Sequence, residues 1–476
     1  MEIEIRNFGP INQIKFDLKK DLHLIYGKNG IGKSYATYCI YCLLKNINNK
    51  RIVRKYRRHY SENSFEKVIK SKLKFKSNKR VDITSDFERK IEIELKDVLL
   101  DGLKNSFKNT FYSLIDLKNK YNNENYEIIV HITEEEKIIF LSNDQGDLDL
   151  KVSLGNNKIY LVEKNTKTTK YSLYINGKMI YGKPNEDEFL NEFHYWFLEF
   201  VNEKLRDLDS DIRDIYYLPA SRSGLYQALS AFTPILAELT QNRFFIKNKS
   251  IELPSLTEPL SDYFIDLSTL DKKKVNEEYI EIIKMLEDDI LKGNVDYDED
   301  TKKIMYKPKG LDLVLNLSQV SSMVAELSPL VLYFKHILNN KFFSSKDPYY
   351  FDPFYERRRR IDKGYDIIFI EEPEAHLHPE VQVKLIELFS RLSSLKLKIF
   401  ITSHSNYMFN KINNILLKKD IVADKVIVYH LINGENGSVS NDDMKVSQEG
   451  INDENFQDIT EQLYYERLKS LEENDR

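Results

Sequence analysis

Cysteine is almost missing from this sequence: Cys39 and Cys42 are the only two among 476 residues. That excludes a disulfide framework and points to a reducing compartment. Their C-x-x-C spacing lacks the second pair a zinc site would need, and two small apolar residues one turn apart on a helix account for it. Long apolar runs are missing too. None approaches the roughly 18 residues of a membrane span, and the N-terminus MEIEIRNFGP is acidic and alternating rather than signal-like. The chain is therefore expected to be soluble and cytoplasmic, with no membrane partner. Charge of one sign is also lacking. The formal charge is -4 with 31% charged residues, so the total favours no nucleic acid and any basic surface has to be local. No internal repeat, low-complexity tract or sustained heptad is found, leaving a globular chain long enough for two or three subdomains.

What the chain does contain is Gly27-Lys28-Asn29-Gly30-Ile31-Gly32-Lys33-Ser34, a G-x-x-x-x-G-K-S match. It follows the apolar run Leu22–Tyr26 and precedes a helix-like run, Tyr35–Leu44. The setting matters more than the pattern, because a phosphate-binding loop works between a buried strand and a helix N-terminus. Glycines let backbone N–H groups wrap a phosphate, Lys33 neutralises the β/γ oxygens, and the Ser34 hydroxyl reaches Mg2+. Gly27 to Ser34, with Tyr35, are the expected ATP contacts.

Residues 2–6 and 11–18 alternate apolar and polar around Asn7-Phe-Gly-Pro10, predicting two strands that lead into the phosphate-loop strand. The run Arg51, Arg54, Lys55, Arg57 and Arg58 reads either as a solvated helix face or as a surface for phosphate backbones. From about 65 to 182 the period becomes two. Ile91–Leu95, Tyr126–Ile132, Lys137–Leu141, Lys158–Val162, Tyr171–Ile175 and Lys178–Tyr181 are expected strands of one inserted antiparallel sheet, with Asn176-Gly177 as a hairpin turn. Residues 186–205 return to helical period, with Phe189, Phe193, Trp196, Phe197, Phe200 and Leu205 on a packing face. Asp214–Leu218 is a further strand, followed by mostly helical sequence from Leu225 to about 295. Short strands over Asn294–Leu317, a helix over Met323–Leu338 and a polar loop over 339–364 with Arg357–Arg360 come next.

Asp366–Ile370 is apolar after its first residue, as a strand buried on both faces requires, and it ends in Glu371-Glu372-Pro373-Glu374. Carboxylates at the end of such a strand stand where open α/β sheets bind ligands. Glu371 is the expected Mg2+ ligand together with Ser34, and Glu372 the group that orients or deprotonates the attacking water. Lys398–Thr402 is the next buried strand and ends in Ser403-His404-Ser405, so His404 joins Glu372 and Lys33 as a catalytic candidate that senses the γ-phosphate. His376 and His378, two residues apart, cannot share a helical face and are expected in a loop.

Gly27–Ser34, Phe369-Ile-Glu-Glu-Pro-Glu-Ala-His-Leu-His-Pro379 and Thr402-Ser-His-Ser405, in that order, resemble an ABC-type ATPase of the SMC-like, RecF/OLD-related group of AAA-family ATPases. Ile5–Ile11 and Tyr217-Leu-Pro-Ala-Ser-Arg-Ser223 resemble the same group. The resemblance implies an α/β P-loop NTPase fold of ABC/SMC-head type, with a mixed central sheet, an inserted antiparallel β subdomain and a helical lobe. The expected division is 1–60 and 345–476 for the ATPase lobe, 61–220 for the β-rich insertion and a core strand, and 221–344 for the helical signature lobe. It also implies ATP and Mg2+, and a head-to-tail pair in which Ser318, Ser321 and Ser322 of one copy complete the other's site. Here Val320 and Met323 depart from the family's glycines, and Gln227 is the candidate for the lobe-linking glutamine.

Long coiled coils are absent, so a chromosome-tethering SMC protein is not expected. The residues after His404 hold a strand, Lys425–Leu431, a short pairing segment and an amphipathic helix through Phe456, Ile459, Leu463 and Leu468. They are too few for the nuclease domain that OLD-type enzymes append. The expected function is an ATPase acting as sensor or regulator of a phage-defence or DNA-maintenance complex, with a nuclease-like effector on another chain. The alternative is a slow ATPase that scaffolds and sequesters such an effector, and nucleic-acid binding is kept open.

Overall fold

The computed structural model describes residues 1–48, 64–73, 80–164, 167–209, 212–226, 256–272, 276–338, 364–441, 444–452 and 457–474. Arg51–Arg58, Arg357–Arg360 and Gln227 lie outside them. The chain divides into two compact units, Met1–Leu18 with Cys42–Ser210 and Lys19–Tyr41 with Asp211–Arg476.

The second unit is built on six neighbouring strands in the order Ile212–Leu218, Tyr365–Glu371, Leu397–Thr402, Leu22–Gly27, Val426–Gly434 and Gly437–Asn441. The first five run parallel and the last returns antiparallel, so the sheet is mixed. Leu22–Gly27 and Leu397–Thr402 are buried along their whole length, the burial on two faces that their unbroken apolar runs demand. Asp366 interrupts such a run but is fully buried beside Arg213, at 3.3 Å, and accepts the Asp214 N–H at 3.2 Å. Burial nonetheless pushes its carboxyl up to about 7. Helices Pro379–Leu392 and Asn406–Leu417 follow the two strands that carry the acidic and histidine motifs. His376 lies in the connection at φ 61°, and His378 caps the first of these helices by accepting the Glu380 N–H.

The same unit contains a three-stranded antiparallel sheet, Gly293–Asp298, Lys303–Pro308 and Leu315–Asn316. It leads into the helix Ser322–Leu332, which widens into a π-turn over Tyr333–Ile337. At the chain's end the helix Gln457–Asn474 forms, but residues 461–471 are all exposed, Leu463 and Leu468 among them.

The first unit carries five antiparallel strands in the order Ile11–Asp17, Glu2–Phe8, Glu127–His131, Lys137–Ser142 and Leu148–Ser153. A separate four-stranded sheet orders Lys178–Lys183, Tyr171–Ile175, Ile159–Glu163 and Arg80–Asp82. The expected single inserted sheet is therefore two. Asn176 and Gly177 make the hairpin turn at φ 49° and 82°. Ile91–Leu95 is not a strand but the end of a helix, Thr84–Leu95, which continues through a π-turn into Asp101–Phe111. Phe87, Ile91 and Leu95 sit four residues apart and are buried, whereas Ile93, which makes the alternation, is 47% exposed. The aromatic helix Glu186–Asp209 packs Phe193, Trp196, Phe197 and Phe200 around Phe87. Packing is what that stripe serves.

Candidate active site

Strand register brings the motifs together. Glu371 pairs with Thr402, Thr402 with Ile25, and Gly27 with Leu431, so the phosphate loop, the acidic pair and the histidine all leave the same end of the sheet. Gly27, Gly30 and Gly32 hold φ of 144°, 75° and 95°, angles that side-chain-bearing residues rarely adopt. At Gly27 a Cβ would also meet the Leu431 carbonyl oxygen at 2.6 Å. Lys28, Asn29 and Gly30 form an exposed tip, Ile31 is buried, and Ser34 and Tyr35 are exposed on the first turn of the helix Lys33–Ile47.

Lys33 is buried, and its ammonium donates to the Gly27 and Lys28 carbonyls at 2.9 and 3.0 Å. Burial lowers its pKa to about 8, against the pull of Glu372 and Glu374. The loop's own carbonyls thus hold the cation where a phosphate would take it over.

Glu371 is buried, and burial raises its pKa, opposed by hydrogen bonds from the Ser34 and Tyr217 hydroxyls. Its Oε1 is buried with no hydrogen-bond partner. An unsatisfied buried carboxylate oxygen beside a serine hydroxyl is a hard-oxygen donor set. It fits Mg2+, which takes one or two such ligands and completes its shell with water and phosphate.

Glu372 stands at φ 40°, a left-handed conformation unusual for glutamate, and its N–H donates to the Thr402 carbonyl at 3.0 Å. Its half-exposed carboxylate faces His404 Nε2 at 3.7 Å. Burial first, and Lys33 second, lower the His404 pKa. A neutral imidazole beside a carboxylate can position a water or donate to a phosphate oxygen.

Ser318, Ser321 and Ser322, the serines expected to act in trans, are exposed. Asn316 and Gln319 close a capping box around Leu317–Gln319, Ser318 Oγ donates to Asn316, and Ser321 is the N-cap of the helix Ser322–Leu332. Val320 and Met323 are half-buried and pack against the core.

The family model described as AAA ATPase domain (AAA_15) matches residues 1–409. The chain belongs to this AAA ATPase family. No curated protein is significantly similar to it in sequence. Among solved structures it is similar to an SMC head bound to the C-winged helix domain of ScpA, at 13% identity and TM-score 0.36, covering 92% of this chain and 96% of the other. It is also similar to the SMC head domain from Thermotoga maritima, at 10% identity, TM-score 0.32 and 92% and 97% coverage. A third is the Pyrococcus furiosus Smc head with an extended coiled coil bound to the C-terminal domain of ScpA, at 14% identity, TM-score 0.33 and 92% and 95% coverage.

In this AAA ATPase, three residues at the site, the half-buried Glu374 and the buried Arg222 and Glu326, make contacts that sequence reading does not assign. Glu374 accepts from Ser403 Oγ at 2.8 Å and from the His404 N–H at 2.5 Å, and so holds the histidine turn. Arg222 donates to the Glu371 and Pro219 carbonyls at 2.9 and 3.1 Å. Glu326, on the signature helix, faces that arginine at 3.6 Å. Glu374 could have been noticed as the third acid of its motif. Arg222 and Glu326 lie 104 residues apart and have no shared signal.

Proposed function

We propose that this ATPase binds ATP between its own phosphate loop and the signature segment of a second copy, in a head-to-tail pair whose closure works as a switch. The ATPase activity itself follows from family membership. What supports the pairing is the exposure of Ser318, Ser321 and Ser322 on the turn that leads into the N-terminus of Ser322–Leu332, where the helix dipole and the hydroxyls suit an anion.

In this reading Lys33 neutralises phosphate oxygens, and the N–H groups from Gly27 to Tyr35 cradle them. Ser34 and Glu371 would hold Mg2+, which when bound would neutralise charge on the phosphates. Glu372 orients the attacking water and takes its proton. His404, neutral and held in place through Glu374, donates to the γ-phosphate. The lobes divide as 1–60 with 345–476, 61–220, and 221–344.

The biological setting we infer, a cytoplasmic phage-defence or DNA-maintenance complex with a nuclease-like effector on another chain, rests on the family resemblance alone. Nucleic-acid contact through Arg51–Arg58 and Arg357–Arg360 belongs to the same inference. Among the described residues no helix is long and apolar enough to cross a membrane.

A second reading is favoured by the packing of Val320 and Met323: a signature turn without glycine keeps the partner's phosphate at a distance, and the pair becomes a slow scaffold that sequesters its effector. Light scattering of Glu372→Gln with Mg-ATP tests the pairing. A stable dimer is expected, and an ATP-saturated monomer would refute it. Wild-type turnover near background with the same dimer would favour the scaffold.

A further inference from the structure

Arg222 is 2% exposed. Its Nη1 donates to the carbonyl of Glu371, the last residue of the acidic strand, and its Nε donates to the Glu326 carbonyl at 3.1 Å while facing Glu326 Oε2 at 3.6 Å. Ser223 Oγ donates to Glu326 Oε1 at 2.5 Å, and Tyr263 grips the Arg222 carbonyl at 3.1 Å. Glu326 lies four residues after Ser322, one helical turn below the exposed serines. One guanidinium therefore ties the end of the strand bearing Glu371 to the helix bearing the signature.

A buried ion pair adds little net stability over an apolar pair of the same volume, and its best-attested use is to fix register between elements. This network also keeps slack. Arg222 Nη2 and Glu326 Oε2 are buried without hydrogen-bond partners, so the pair has bonds to gain from a small shift of either element.

The geometry points to Arg222 as a positioning residue that relays, through Glu326, between the Glu371 strand end of one ATP site and the signature helix that completes the other. The relay rests on the head-to-tail reading above. Occupancy of one site then alters how readily the same chain's signature engages its partner's nucleotide, which is a coupling between two ATP sites.

The test uses full-length Glu326→Gln, which keeps shape and the Ser223 bond but removes the charge, and Arg222→Lys, which keeps the charge but loses the fork. Both are made in the Glu372→Gln background for binding and in wild type for kinetics. ATP affinity measured on dilute monomer should stay within about twofold. The protein concentration needed for ATP-driven dimerisation should rise about tenfold, a typical coupling, and ATP saturation curves should lose their cooperativity. The double variant should be no worse than either single one.

Dimerisation and cooperativity at parental values would overturn the relay while leaving the pairing intact. Loss of affinity, dimerisation and melting temperature in parallel would reduce Arg222 to a structural brace. A Glu372→Gln parent that stays monomeric with ATP bound would overturn the pairing itself, and the relay with it.

Discussion

The phosphate loop and the segment Leu317–Met323 both lead into a helix N-terminus, and both can offer N–H groups to an anion. They are built from opposite residues. Gly27, Gly30 and Gly32 occupy positive φ, and the loop's own carbonyls hold Lys33. The loop therefore has its shape before a phosphate arrives, and buried residues support it. The signature segment has no glycine. Asn316, Gln319 and Ser321 fix its turn by side-chain capping, and its serines face outward. One half is preorganised to bind; the other, in the proposed pair, is a surface that meets the phosphate of a second copy. Arg222 and Glu326 join the end of the strand bearing Glu371 to the helix that follows the second segment.

Glu372→Gln should show the largest effect, since it removes the base of the preorganised half. Turnover should fall about 1000-fold, within the usual range for a general base, with ATP binding kept. Steady-state rates beside equilibrium binding measure both, and equal turnover would remove Glu372 from its role. Gly27→Ala comes next. Its Cβ would meet the Leu431 oxygen at 2.6 Å in a backbone conformation alanine resists, so a loss of about 3 kcal/mol in denaturant-derived stability is expected. Ser318→Ala, on an exposed turn, should cost at most about 1 kcal/mol. Comparable losses at both positions would erase the contrast between the two halves. Lys33→Ala should weaken ATP about 100-fold by isothermal titration, the cost of removing one member of a buried charged contact.

A further effect is one of pH. Because burial lowers the Lys33 pKa to about 8, its positive charge is present below that pH and is lost above it. ATP binding must then restore the proton, so affinity should fall by up to about tenfold per pH unit above 8. A flat affinity from pH 7 to 9.5 would place the cation elsewhere.

The strands that bear the site are legible in the sequence because Leu22–Tyr26, Asp366–Ile370 and Lys398–Thr402 are buried on both faces and need unbroken apolar runs. Glu372 and His404 can be picked out as candidates because each closely follows such a run, and Lys33 because it ends the glycine-rich loop that follows one. Ile91–Leu95 misleads because its alternation is local, while the burial follows Phe87, Ile91 and Leu95 at helical spacing. The split of the insertion into two sheets depends on which strands pair, and period-two alternation does not encode pairing. The Arg222–Glu326 contact is hidden for a similar reason. An isolated buried charge identifies itself only through its partner, and here the partner comes from a distant element.

In the proposed pair each ATP site combines the phosphate loop of one copy with the Ser318–Ser322 segment of another. Lys33→Ala alone and a Ser318/Ser321/Ser322 triple alanine variant alone should each be inactive, because both of their sites are broken. Mixed in equal amounts, half the pairs would join one variant to the other, and each such pair would carry one intact site. ATP hydrolysis should return to about a quarter of the wild-type rate. A mixture as inactive as its components, under conditions where mixed dimers are shown to form, would contradict the claim.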